Sequence, residues 1–422
     1  MRYRSALSAG TVCFLAAAIC GCAREPAAPR PTPESSAEAN AATLDLAVAT
    51  ILSGSSSLST SVSDLSSGIS TAVANLASGG TVVRAAVVAG GKSTCYVRDG
   101  KAECWGHNRT GQLGDGTTED RNMPVPVTVA EGPIAALALG YTNACALVEA
   151  GDIVCWGGGV PVSPESGAPA AYRAVSIGAS HACGVSVEGE VRCWGRNSLG
   201  ALGDGTTENR EEPVDAVGLA GGVTSVAAGV DFSCAVHRGG VRCWGSNDNG
   251  QVGDGTYTVR LIPVDVIGLD SKFAGVTAGV FHACAWTNEG EVWCWGENLS
   301  GQLGDGTGYN SSHPVKVDGI TGGVLSVAAG GSHSCALTRA GGVMCWGSND
   351  HGQLGDGTKD ARKTPVDVSG LTAGVIALAA GAGHTCAVRK DGSVQCWGLN
   401  DHGQLGNGSI EDSLVPVDVD WG

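Results

Sequence analysis

Residues 323–368 read GVLSVAAGGSHSCALTRAGGVMCWGSNDHGQLGDGTKDARKTPVDV. Four short β-prone segments lie in this stretch, at 324–329, 333–337, 343–346 and 365–368, separated by Gly-rich turns and one long polar loop. Working outward, the tripeptide Cys-Trp-Gly at Cys345 recurs at Cys104, Cys155, Cys193, Cys243, Cys294 and Cys396, in steps of 51, 38, 50, 51, 51 and 51 residues. A period near fifty residues marks a propeller or an array, and four strands per unit are the content of one propeller blade. The composition agrees: 67 glycines among 422 residues favour tight turns joining short strands. The chain therefore reads as all-β, with a seven-bladed propeller over residues 81–422.

Ring closure is argued from phase. The first unit enters at Thr81-Val82-Val83 with no Pro-Val segment before it, whereas the last ends on Val415-Pro416-Val417-Asp418-Val419 with no strand after it. These ends are complementary, so the C-terminal segment is expected to pair beside the strand near Val82 and remove the exposed sheet edges.

Fourteen of the 17 cysteines form seven pairs nine or ten residues apart: Cys95 and Cys104, Cys145 and Cys155, Cys183 and Cys193, Cys234 and Cys243, Cys284 and Cys294, Cys335 and Cys345, Cys386 and Cys396. The nine-residue pairs centre on Asp99-Gly100 and Arg238-Gly239, two-residue loops of the hairpin type. The ten-residue pairs centre on three-residue loops containing Gly, such as Lys390-Asp391-Gly392, whose extra residue a bulge absorbs. Each pair then stands directly opposite across two strands, so seven disulfides and an oxidising compartment are expected. Zinc spacing of the Cys-x-x-Cys kind is missing from the repeats, and no cofactor or metal site is assigned.

Arg2 and Arg4 precede a short apolar run, residues 12–19, too short to span a bilayer, which reads as a signal peptide over 1–21. Its end, Ile19-Cys20-Gly21-Cys22, resembles a bacterial lipobox, which makes Cys22 the lipid-attachment residue. With Ala23 and not Asp following, the resemblance implies a lipid anchor at the outer membrane or cell surface. Residues 22–42, rich in Pro, Ala, Glu and Ser, read as a disordered tether. In residues 43–80, Leu58, Val62, Leu65, Ile69, Val73 and Leu76 recur at helical steps, which allows a short helical stalk and an oligomerising surface; a Ser-rich flexible spacer fits the same residues. The propeller itself is expected to be monomeric. The formal charge of −16 repels phosphate backbones, which argues against a nucleic acid partner.

The repeated unit, His-x-Cys-Ala-Leu, Gly-x-Val-x-Cys-Trp-Gly, Asn-x-x-Gly-Gln-Leu-Gly-Asp-Gly-Thr and Pro-Val-x-Val, closely resembles the repeat of the regulator-of-chromosome-condensation family over residues 81–422. The resemblance implies a seven-bladed propeller. Functions in that family range from guanine nucleotide exchange to the inhibition of β-lactamases by a secreted bacterial relative. No segment of this chain matches the exchange-factor residues.

Among residues that could carry chemistry, Asp115, Asp204, Asp254, Asp305 and Asp356, with Asn407 in the last unit, recur in Gly-Asp-Gly-Thr loops. They suit calcium by donor type, but their recurrence favours a turn role. His181, His282, His333 and His384 sit two residues before a cysteine in four units, where the others carry Ser93, Asn143 and Phe232. That tolerance points to packing or a local hydrogen bond. Arg121, Arg210, Arg260 and Arg362 are expected to bond neighbouring blade loops. The Trp after each second cysteine is expected to pack between blades, whereas Trp286, Trp293 and Trp421 fall outside that position and are candidates for a binding surface. The second unit lacks the long loop between Gly157 and Ala174 and leaves a notch, a further candidate partner site. No catalytic constellation stands out, so the chain reads as a non-enzymatic module for a protein or glycan partner at the cell surface. An inhibitor or regulator of a secreted enzyme is the alternative, and a guanine nucleotide exchange factor a weaker one.

Overall fold

The computed structural model describes residues 72–78, 81–159 and 171–422. The expected signal peptide, Cys22 and tether lie outside them, as does most of the expected stalk. Among the described residues the strands form seven antiparallel sheets, one per repeat, each running from inner to outer strand in chain order. Blade 1 contains β1 (Ala72–Ser78), β2 (Thr81–Gly90), β3 (Ser93–Arg98), β4 (Lys101–Gly106) and β5 (Arg121–Pro126). Blade 2 contains β6 (Ile134–Leu139), β7 (Asn143–Val148) and β8 (Ile153–Gly157). Blades 3 to 7 have four strands each and span 172–215, 223–265, 273–316, 324–367 and 375–418.

Two expectations at the chain ends are corrected. Residues 72–78, read as the end of a helical stalk, form β1 and pair with β2 from Ala72↔Val87 to Ser78↔Thr81. The sheet edge of β2 offered more hydrogen bonds than an isolated Ser-rich helix could keep in water. Consequently the C-terminal strand does not pair beside Val82. Ser413–Asp418 completes its own blade, opposing Cys396 with Val417, and each blade is built from one contiguous repeat. The ring closes face to face: Ala85, Val87 and Trp105 of blade 1 share one buried cluster with Ala377, Val388 and Leu405 of blade 7.

All seven cysteine pairs are bonded, with Cα atoms 4.0 or 4.1 Å apart. Each joins residues directly opposed in the register, as in Cys335↔Cys345. The two-residue loops take the form their sequence implies, with φ of 51° and 75° at Asp99 and Gly100 and of 53° and 84° at Arg238 and Gly239.

The neighbouring Trp points the other way and enters the core of the preceding blade. Trp295 of blade 5 lies among Phe232, Val241 and Val252 of blade 4, and Trp397 of blade 7 among Leu337, Leu354 and Leu371 of blade 6. Sheet alternation thus gives each hairpin two fasteners, a disulfide within its blade and an indole to the preceding one.

Removing one bridge through Cys335→Ala with Cys345→Ala is expected to lower unfolding free energy by about 2–3 kcal/mol, the chain-entropy value for a short closed loop. Urea denaturation of both proteins checks this, with an unchanged midpoint as the contrary result.

Candidate functional site

Along six of the seven seams, the long loop of one blade offers a backbone carbonyl to the indole N–H of the next blade. Trp156 donates to Gln112 O at 3.0 Å, Trp244 to Ala201 O at 2.8 Å, and Trp295 to Gln251 O at 2.9 Å. Trp346 donates to Gln302 O, Trp397 to Gln353 O and Trp105 to Gln404 O, each at 2.9 Å. The last of these bonds blade 1 to blade 7. Trp194 of blade 3 is the exception. The preceding repeat lacks the loop that would supply the carbonyl, and the buried Trp194 Nε1 has no partner among the described residues.

The four repeated histidines belong to the same seams. His181, His282, His333 and His384 lie 2.8 or 2.9 Å through Nε2 from Ser233, Ser334, Thr385 and Thr94 of the following blade. Each hydroxyl donates in turn to the loop carbonyl that accepts the indole, at 2.9 or 3.0 Å. A hydroxyl that gives its proton to a carbonyl must accept from the ring, so Nε2 carries the hydrogen. Burial pushes His181 and His333 down to about 4, and His282 and His384 down to about 3, with the neighbouring His333 adding to the effect at both. These imidazoles are neutral structural donors. The signal that could have revealed them is pairwise: where a unit carries Ser93, Asn143 or Phe232 in place of His, the next has Ala144, Ala182 or Ala283 in place of Ser or Thr.

The Gly-Asp-Gly-Thr loops are internally satisfied. Asp115 Oδ1 accepts from Thr117 N at 2.9 Å and its Oδ2 from Arg121 Nε at 2.9 Å. The same arrangement holds Asp204 to Thr206 and Arg210, Asp254 to Thr256 and Arg260, and Asp356 to Thr358 and Arg362. Burial raises the Asp115 pKa, but the bonds from Thr117, Arg121 and Asn108 outweigh it and the net direction is down. The turn role is realised there, in Asp305 with Thr307, and in Asn407 with Ser409. The arginine expectation is corrected. Each guanidinium grips the Asp of its own loop, six residues back, because that carboxylate is nearer than any neighbouring blade's and already oriented by the turn.

Of the three tryptophans singled out as surface candidates, Trp286 is buried in the core of blade 5, with Gly275 making room for its ring. Trp293 is partly buried and packs on the blade 4 core. Strand alternation set both, since a residue facing the adjacent sheet is covered whatever its place in the repeat. Trp421 is 44% exposed. Its ring lies 5.4 Å from Tyr96 and 6.0 Å from Trp105, so the C-terminal tail crosses from blade 7 onto blade 1.

His107, Asp120 and His402 converge where the loops of blades 1 and 7 meet, the one group of three potential metal ligands among the described residues. Its bonds favour a lock. His402 Nδ1 is 2.7 Å from Asp120 Oδ2, as His351 Nδ1 is 2.8 Å from Asp412 Oδ2 one seam earlier. Gln112 Oε1 accepts from Thr110 N, which leaves its Nε2 to donate to His107 Nδ1 at 2.7 Å. His107 is thereby held as a hydrogen-bond acceptor, its pKa lowered first by burial and further by His402, Arg109 and Lys92 against the pull of Asp120.

The axis of the ring opens as a cup walled by the ends of the inner strands and by small residues such as Gly90, Ala138, Gly178 and Gly330. A Cβ on Gly330 would stand 2.6 Å from Gly381 O and 2.3 Å from the His333 ring, so the wall tolerates no side chain there.

A closed seven-bladed propeller with this repeat defines a class of scaffold whose blades are stitched by loop carbonyls. Residues 159–421 match the RCC1-like domain, and residues 99–147 match the regulator of chromosome condensation (RCC1) repeat. The chain belongs to the RCC1-like domain family. It is 42% identical over 125 residues to the human E3 ubiquitin-protein ligase HERC2, covering 29% of this chain and 3% of that protein. It is 37% identical over 134 residues to the ultraviolet-B receptor UVR8 of Arabidopsis thaliana, covering 31% and 30%. The chain thus spans a minor part of these relatives. Among solved structures, human WBSCR16 superposes with a TM-score of 0.68 at 23% identity, covering 76% of this chain and 94% of that one. Yeast RCC1 (Prp20) bound to Kap60 gives 0.67 at 20% identity, covering 75% and 83%.

Two predictions follow from the seams. Folded histidine pKa values near 3–4 lie below the unfolded value near 6.5, so the unfolded chain binds more protons between them; stability is full above about pH 6.5 and falls as pH drops towards 4. Replacing His282→Phe with Ser334→Ala copies the Phe232 and Ala283 pair and is expected to lower the proton uptake on unfolding by about one, read from urea midpoints across pH. Trp295→Phe should cost about 1–3 kcal/mol more than Trp194→Phe, because the first strands the Gln251 carbonyl, which accepts no seam hydroxyl, and the second removes an unpaired donor. Equal losses in thermal denaturation contradict the seam bond.

Proposed function

We propose that the chain is a non-enzymatic binding module, exported and anchored through a lipid on Cys22, that presents a propeller face to a protein or glycan partner at the cell surface. One observation carries the reading. The repeated polar groups that could serve catalysis are committed to the scaffold: the histidines to hydroxyls across seams, the aspartates to the turn amides and arginines of their own loops. What varies between blades is the rim, where a scaffold of this kind places recognition. Export is supported by seven cross-strand cysteine pairs, each set in register for bonding. Partner binding is supported by the family, in which yeast Prp20p is described with Gsp1p and histones.

Two measurements test this. Labelled palmitate fed to expressing cells should enter the wild-type chain and not Cys22→Ala, which should leave the membrane fraction. The purified lipidated chain should retain a stoichiometric partner from envelope extract. A captured enzyme whose activity falls on binding supports the inhibitor reading instead, and a chain that remains unlabelled in the cytoplasm refutes the anchored module.

A further inference from the structure

The inner turns and long loops all emerge on one end of the ring, since strands one and three of each blade run in the same direction and end there. Each long loop begins beside its own inner turn, as when Glu297 N donates to Phe281 O at 2.8 Å in blade 5. Equivalent residues can therefore be compared blade by blade across a single face.

The comparison singles out blade 5. The residue after the loop Asn is Arg109, Ser198, Asp248, Asp350 or Asp401 in five blades, but Leu299 in blade 5. Two residues after the loop Thr, the other blades carry Glu119, Glu208, Thr258, Asp360 or, after Ser409, Glu411, whereas blade 5 carries Tyr309. Leu299 is 74% exposed and Tyr309 81%. They arise from one loop base, because Asn298 N, adjacent to Leu299, donates to Asn310 Oδ1, adjacent to Tyr309, at 2.9 Å.

The apolar character continues inward to the cup. The two residues of the inner turn are Gly91-Lys92, Tyr141-Thr142, Ala179-Ser180, Val230-Asp231, Gly331-Ser332 and Ala382-Gly383 in the other blades, and Val280-Phe281 in blade 5, where both are apolar. Both are partly exposed, and Val280 lines the cup. Blade 4 contributes Val230 at the corresponding cup position. Isolated surface hydrophobics need no explanation, but three departures confined to one blade, Leu299, Tyr309 and Phe281, together with Val280 beside them, form a sector.

Exposed acids flank it. Asp248 lies on the blade 4 side, and Asp350 and Asp360 on the blade 6 side, and the partly buried Asp231 sits at the inner turn of blade 4. Lys359 and Lys363 are the nearby bases, fewer than the acids, and the whole chain carries −16. An apolar centre with a charged surround is the anatomy of a protein interface, with energy concentrated in the aromatic and aliphatic anchors and charge selecting the partner.

We infer that the blade 5 sector formed by Leu299, Tyr309, Val280 and Phe281 is the docking surface for a partner protein that presents an apolar side chain ringed by Lys and Arg. The inference rests on the binding-module reading and names the face and the partner chemistry for it. It moves the site away from the notch of blade 2 and from the three tryptophans outside the repeat, of which one is buried and one partly so.

The test uses the full chain with Leu299→Asp, Tyr309→Asp and, as reference, Ile410→Asp, which places the same charge at an exposed position in the blade 7 loop. The probes are fluorescent synthetic peptides with a central Trp or Leu between Lys and Arg residues, alongside Ala-centred and Glu-flanked counterparts, with circular dichroism to verify folding. The expected result is binding of the basic, Trp- or Leu-centred peptides to wild type and Ile410→Asp, weakened about 10-fold or more by either blade 5 variant. Equal binding to all variants, or indifference to the central residue, overturns the sector. Light scattering that shows a dimer dispersed by Leu299→Asp assigns the surface to a second copy and also overturns it. In envelope extract, a partner retained equally by wild type and both blade 5 variants removes this sector while leaving the binding module intact; no partner for wild type removes the module itself.

Discussion

A single backbone carbonyl at each of six seams holds this ring together. It lies at Gln or Ala in the long loop of one blade, accepts the indole of the next, and in four seams also accepts a hydroxyl that is itself bonded to a buried imidazole. A blade alone cannot bury its Trp. The indole reaches a core only by entering the preceding blade, and there its N–H must find an acceptor or pay the cost of desolvation. Loop, Trp and ring are therefore interdependent: the long loop exists to deliver that carbonyl, and the chain's glycines let it approach.

Closure by packing follows from this constraint. A propeller that shared one blade between its ends would tie the ring with a ladder of strand bonds. Here each sheet is built from one contiguous repeat, and the first and last blades meet through the same indole, hydroxyl and imidazole set that joins blades 3 to 4, 5 to 6 and 6 to 7. The tail adds Trp421 across the seam, and His402 with Asp120 adds a polar lock above it.

The blades were legible in the sequence because their determinants are local and periodic. Cysteine spacing predicts the hairpin loops and the opposed register, and the Trp beside each second cysteine predicts an inter-blade side chain by alternation alone. The chain ends were less legible. Val73 and Leu76 fit a helical step, yet the edge of β2 decided their structure, and that edge is a tertiary feature. The arginines were misassigned in reach, since sequence shows that Arg121 and Asp115 recur together but not which Asp the guanidinium meets. Trp286 and Trp293 looked free because they broke the repeat, whereas burial depends on the side of the strand they occupy. Leu299 and Tyr309 became meaningful once the fold showed that the long loops and inner turns share one face, so that aligned positions are also neighbouring surfaces.

The central claim is that the first and seventh blades are joined by the same seam as the rest, and hydrogen exchange at the indole N–H groups measures it directly. In a spectrum of ¹⁵N-labelled protein, the Trp105 indole should exchange as slowly as those of Trp295, Trp346 and Trp397. Rapid exchange at Trp105 while the other three stay protected would mean that blades 1 and 7 do not meet, and that the repeats form an open array.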